Sequence, residues 1–177
     1  MTSRERVLAA FAHREPDRVP LDLSGHRSSG VAAMLYPRLR RVLGLPPAPV
    51  RLHDTIQQLA ILDEDVLDCC GVDTIELGRG FAREERWWAD WVLPDGSPCQ
   101  VPAWAVPQRE AGRWVMKSAS GRVIGQMVDG SLYFEQASFP LAEDPGMALA
   151  DALRECMWTA RVAPPGPAGS RETGGLD

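Results

Sequence analysis

Three side chains stand where chemistry with an anion is open to them: His26, Arg27 and Arg79. His26 and Arg27 lie in the loop Ser24-Gly25-His26-Arg27-Ser28-Ser29-Gly30, directly after the stretch Val19-Pro20-Leu21-Asp22-Leu23. Arg79 stands between Gly78 and Gly80, directly after Val72-Asp73-Thr74-Ile75-Glu76-Leu77. A guanidinium grips a carboxylate through two parallel hydrogen bonds and keeps its proton, which suits it to anionic substrates. All three residues read first as solvated polar side chains of glycine-bearing turns, with the ligand-binding role as the alternative. Glu76 is the carboxylate nearest the second turn, and strand alternation leaves its direction undecided.

The cysteines offer little to a metal. Cys69, Cys70, Cys99 and Cys156 include no C-x-x-C pair. The adjacent Cys69 and Cys70 would point about 100° apart on a helix, a poor start for two ligands of one ion. Free thiols are the expectation, with no structural disulfide. His13, His26 and His53 are all N-terminal, and none has a well-spaced cysteine partner. No metal ligand is assigned.

The elements that must hold these residues follow from the pattern around them. Thr2 and Glu5 have the spacing of a capping box, and Val7, Leu8 and Phe11 recur at helical spacing, so a helix begins near residue 3. Pro16 stops it, and Val19 to Leu23 reads as a first core strand. Val31 to Leu43 is helical in period, but Pro37 divides it, and Gly44 is placed as a left-handed cap. Leu45-Pro46-Pro47-Ala48-Pro49 is a stiff linker, followed by the irregular Val50–Asp54. Asp63 to Cys70 is a second helix that Gly71 ends, and Val72 to Leu77 reads as a second strand. Strand, helix, strand is the order of a parallel α/β unit. From residue 87 to 140 the pattern changes to aromatic and β-branched runs broken by turn signals such as Pro94-Asp95-Gly96-Ser97, the mark of an antiparallel meander. Trp87, Trp88, Trp91, Trp104, Trp114 and Trp158 are read as packing residues in preference to an exposed stacking surface. A last helical stretch runs from Asp144 to Trp158. The expected division is therefore 1–80, 81–140, 141–162 and an unstructured tail, 163–177.

The segment Ser3 to Gly25, SRERVLAAFAHREPDRVPLDLSG, resembles the opening of the uroporphyrinogen decarboxylase superfamily, and is closest to its corrinoid-linked methyltransferase branch. Gln57 to Leu67, with Cys70-Gly71-Val72-Asp73 after it, is similar to the same branch. The likeness extends to about Asp144 and implies the N-terminal part of a (β/α)8 barrel with an antiparallel β-hairpin insertion. Such barrels take about 250 residues, and 177 are too few to close one, so an incomplete barrel is expected.

The resemblance implies methyl transfer between a corrinoid and a thiol or other acceptor, with His26, Arg27 and Arg79 facing substrate and no activity from this chain alone. The branch uses zinc held by one His and two Cys; no such set occurs here, so zinc and the corrinoid belong to the full-length family member. Uroporphyrinogen decarboxylation is the alternative, weakened because Ser24–Gly30 lacks the arginine-rich motif of those enzymes. A non-enzymatic half-barrel acting through association is the third reading. Its partners would be a corrinoid protein, the remaining barrel segment or a second copy.

Composition narrows the rest. Hydrophobic residues make up 45% of the chain and the net charge is −5, which suits a globular protein and not a nucleic-acid binder. No apolar run approaches the roughly 18 residues of a membrane span. No secretory pattern opens the chain, so a cytoplasmic location is expected.

Overall fold

The computed structural model describes residues 1–76 and 84–158. Helix α1 (Ser3–Phe11) starts as its sequence directs: Thr2 Oγ1 accepts from the Glu5 amide at 3.2 Å, and the Glu5 carboxylate accepts from the Thr2 amide at 2.8 Å. It ends at Phe11, well before Pro16, and His13 turns the chain with a φ of 52°. Its buried face differs from expectation. Arg6 and Ala9 are buried, whereas Leu8 and Phe11 are exposed.

Strand β1 (Val31–Ala32), helix α2 (Tyr36–Val42), strands β2 (Leu52–Asp54) and β3 (Leu59–Ala60) and helix α3 (Glu64–Cys70) follow. β1, β3 and β2 form a three-stranded antiparallel sheet in that order. Pro37 lies in the first turn of α2, where the missing N–H costs no helical bond. Gly44 and Gly71 follow α2 and α3 with φ of 72° and 65°, the left-handed conformation that glycine adopts without strain. The Tyr36 hydroxyl joins the two helices. It donates to Asp63 Oδ2 at 2.7 Å, accepts from the Asp63 amide at 2.8 Å and accepts from Arg40 at 3.2 Å. Burial pushes this hydroxyl's pKa up to about 12.

The second half is antiparallel. β4 (Trp88–Val92) pairs with β5 (Pro98–Pro102), and β6 (Gln108–Glu110), β7 (Arg113–Lys117), β8 (Val123–Val128) and β9 (Glu135–Gln136) form a four-stranded meander in sequence order. Two short helices, α4 (Pro140–Glu143) and α5 (Leu149–Arg154), close the described chain. One core spans both halves, with Tyr36, Leu52 and Leu62 packed in the same cluster as Trp91, Ile124 and Met127.

This architecture corrects the expected (β/α)8 barrel fragment. The described residues form three small antiparallel sheets with five short α-helices, in place of parallel strands alternating with helices. Residues 19–23 and 72–76 are not strands; Leu77 lies outside the described residues. The reason is visible in their hydrogen bonds. Asp73 N–H reaches Leu21 O at 2.8 Å, but the Leu21 N–H turns to the Asp73 carboxylate at 2.9 Å, and Pro20 has no N–H to offer. A ladder that loses its donors to a side chain does not propagate. The parallel contact between residues 51 and 100 is a single isolated bridge. No helix of the described residues is long and apolar enough to cross a membrane.

Candidate loop site around Asp22

The loop after Leu21 is built by Asp22. Its Oδ1 accepts from the Gly25 amide at 2.9 Å and from Thr74 Oγ1 at 2.5 Å, and its Oδ2 accepts from Ser29 Oγ at 2.9 Å. The Thr74 hydroxyl, foremost, together with Ser29 and the Gly25 amide, holds the Asp22 carboxyl below its ordinary pKa. The Ser24 amide donates to Ser29 O at 3.0 Å, which folds 24–29 into a closed turn. Ser24 is buried with a φ of 65°, and its hydroxyl finds no partner among the described residues.

His26 sits on the outside of this turn. Its Nδ1 accepts from the Ser28 amide at 3.1 Å, which leaves Nε2 as the ring's donor, and the residue is exposed. The loop thus offers an outward donor on a rigid base, suited to an anionic or carbonyl oxygen. Arg27 begins the short 3₁₀ turn Arg27–Ser29 beside it. Arg79 lies outside the described residues, so His26 and Arg27 alone of the three expected binding residues are placed together.

Residues that sequence reasoning did not assign complete the neighbourhood. Two positions beyond Thr74, Glu76 meets His53, with Oε2 and Nδ1 3.3 Å apart and the imidazole nearly enclosed. That contact settles the direction of Glu76: it faces the middle side chain of β2. A carboxylate beside an imidazole is an arrangement able to hold or pass a proton. The signal for Asp22 was present in Asp22-Leu23-Ser24-Gly25, a composition that favours a side-chain-to-backbone turn. Nothing local signalled the pairing of His53 with Glu76, because 23 positions separate them.

Below this loop lies a charged clamp. Arg6 reaches Asp17 at 2.6 Å and also pairs with Asp73; Arg18 reaches Asp73 at 2.7 Å. The Asp73 side chain is wholly buried. It is held well below the usual carboxylate range, first by the Leu21 amide and then by Ser3, Arg18 and Arg6.

Among the described residues no three His, Cys, Asp or Glu side chains converge as metal ligands. None of the four cysteines forms a disulfide, and burial pushes the Cys99 thiol up to about 12, far from a thiolate. The described residues do not fit the zinc implied by the resemblance.

Gly25 is the tightest point of the loop. A Cβ there would collide with Asp22 Oδ1 and Thr74 Oγ1. Gly25→Ala is therefore expected to break the Asp22–Thr74 bond and cost about 1–3 kcal/mol. A urea melt reads the cost, and faster exchange of the Gly25 and Ser24 amides locates it. Unchanged exchange would show that the loop is not held by Asp22.

Compared with family models, curated proteins and solved structures, the chain matches none.

Proposed function

We propose that the chain belongs to a corrinoid-dependent methyl-transfer protein of the uroporphyrinogen decarboxylase superfamily kind, and that the Asp22–Gly30 loop is its ligand-facing element. The observation that carries this reading is the clamp. The two segments with the family likeness, Ser3–Gly25 and Gln57–Asp73, meet through Arg6, Arg18 and Asp73. The likeness thus falls on residues that act as one unit, and the Asp22 loop emerges from that unit. The reading rests on these residues and not on a barrel. Methyl-corrinoid enters as a substrate; His26 presents an N–H donor to it, while Asp22 stays ionised and fixes the loop. Arg27 follows in the same turn.

The test is equilibrium binding of methylcobalamin and of uroporphyrin, followed by quenching of tryptophan fluorescence in the full chain. Saturable quenching by methylcobalamin, weakened by His26→Ala, is expected, with no methyl transfer to a thiol by the chain alone. Preferential, tight uroporphyrin binding would move the assignment to tetrapyrrole decarboxylation. Saturable binding of neither would remove the loop's proposed role.

A further inference from the structure

The clamp turns Arg6 of α1 inward and leaves Leu8 and Phe11 exposed. Arg4, Leu8 and Phe11 are spaced by four and three positions and so share one face of the helix. All three are exposed, Phe11 to 77%. Val19, just beyond the turn, is 82% exposed. Two arginines bound this surface, Arg4 and Arg14, and neither side chain has a partner among the described residues. A basic rim around uncovered leucine and phenylalanine is a docking surface with a defined charge preference.

Its complement lies on the same molecule. A cleft of about 260 Å³ runs between α3 and residues 72–75, lined by Glu64, Leu67, Asp68 and Ile75 among others. Glu64 and Asp68 are exposed and have no side-chain partner among the described residues, and Ile75 is 58% exposed. This cleft is acidic and apolar where α1 is basic and apolar. Arg6 ties the two together, because it extends from α1 to Asp73, which itself lines the cleft. A two-fold interface requires one continuous patch that complements its own copy, and two opposite halves side by side meet that requirement.

We propose that this chain forms a two-fold dimer in which the Arg4–Leu8–Phe11 face of each α1, flanked by Arg14, docks on the Glu64–Asp68 cleft of a second copy. Phe11 supplies the apolar anchor and the four unpaired charges set the register. The inference is independent of the methyl-transfer reading.

Sedimentation equilibrium of the full chain, from low micromolar to several hundred micromolar, tests it. The wild-type chain is expected to dimerise. Phe11→Ser, at a position that the fold leaves exposed, should weaken the dimer by at least about tenfold without shifting the melt. R4E/R14E and E64R/D68R should each be monomeric, and an equal mixture of the two should recover a dimer, since each then meets a complementary charge. A wild-type chain that stays monomeric overturns the proposal. So does a dimer indifferent to both reversals, or a mixture that fails to recover one. A monomer that instead binds anionic phospholipid vesicles through Arg4 and Arg14 would assign the surface to a membrane and overturn it as well.

Discussion

Asp73→Asn is expected to release the N-terminal helix from the rest of the chain. The Asp73 carboxylate takes both Arg6 and Arg18 and the Leu21 amide, with no exposure of its own side chain. An amide in its place can still accept from Leu21, but it offers neither arginine a counter-charge. Arg6, only 8% exposed, then keeps Asp17 as its carboxylate partner beside the Met1 carbonyl. A buried cation that loses a partner is costly, because the low surrounding polarity no longer returns what desolvation took. Hydrogen exchange at the Ala12 and Arg14 amides, which close the end of α1, should open at least about tenfold more often. Arg18→Gln should do less, since Arg18 is 43% exposed and partly served by water. Unchanged α1 exchange in Asp73→Asn would show that the clamp does not anchor the helix.

The same clamp sets an acid limit. Asp17, held down first by Arg6, and Asp73, held down first by the Leu21 amide, both have pKa values depressed in the fold. The unfolded chain therefore binds more protons than the folded one in acid. The stabilisation is complete above the ordinary carboxylate range, near pH 4, and is lost as pH falls toward the depressed values. Protection of α1 should be flat from about pH 5 to 8 and fall below about pH 4.

Trp91→Ala is expected to cost about 3–5 kcal/mol, read from the urea midpoint at unchanged slope. Trp91 is buried on β4 and packs edge-on against Trp114 of β7 at 5.3 Å and beside Phe134 at 6.4 Å. It is the bridge between the two-stranded sheet and the meander, so its removal opens a void at their junction. Its indole N–H has no partner among the described residues. Trp91→Phe removes that unmet donor along with some volume and should cost less than about 1.5 kcal/mol. If alanine costs under about 1 kcal/mol, the two sheets do not share the core described above.

Local chemistry was readable from the sequence wherever the partner lies within a few residues. The Thr2–Glu5 box, the left-handed Gly44 and Gly71, and the turn signals between residues 87 and 140 all depend on near neighbours, and the structure contains each. The face of α1 was not readable. Val7, Leu8 and Phe11 have the period of a buried stripe, yet Arg6 is drawn inward by Asp17 and Asp73, which stand 11 and 67 positions away. The two expected barrel strands failed for a similar reason, since their apolar alternation says nothing about an Asp73 carboxylate that takes the Leu21 amide.

The candidate site divides along the same line. His26 and Arg27 could be placed in one loop from sequence because they are adjacent and follow a recognisable turn. The Asp22–Thr74 bond and the His53–Glu76 contact join residues 52 and 23 positions apart. The sequence by itself determined where α1 and α3 begin, where α2 and α3 end and which stretch forms the antiparallel meander, because these depend on backbone preferences and neighbouring side chains. Only the tertiary structure decided which charges are buried, which apolar residues stay outside and how the segments pair, because those outcomes follow from contacts between residues that the chain order keeps apart.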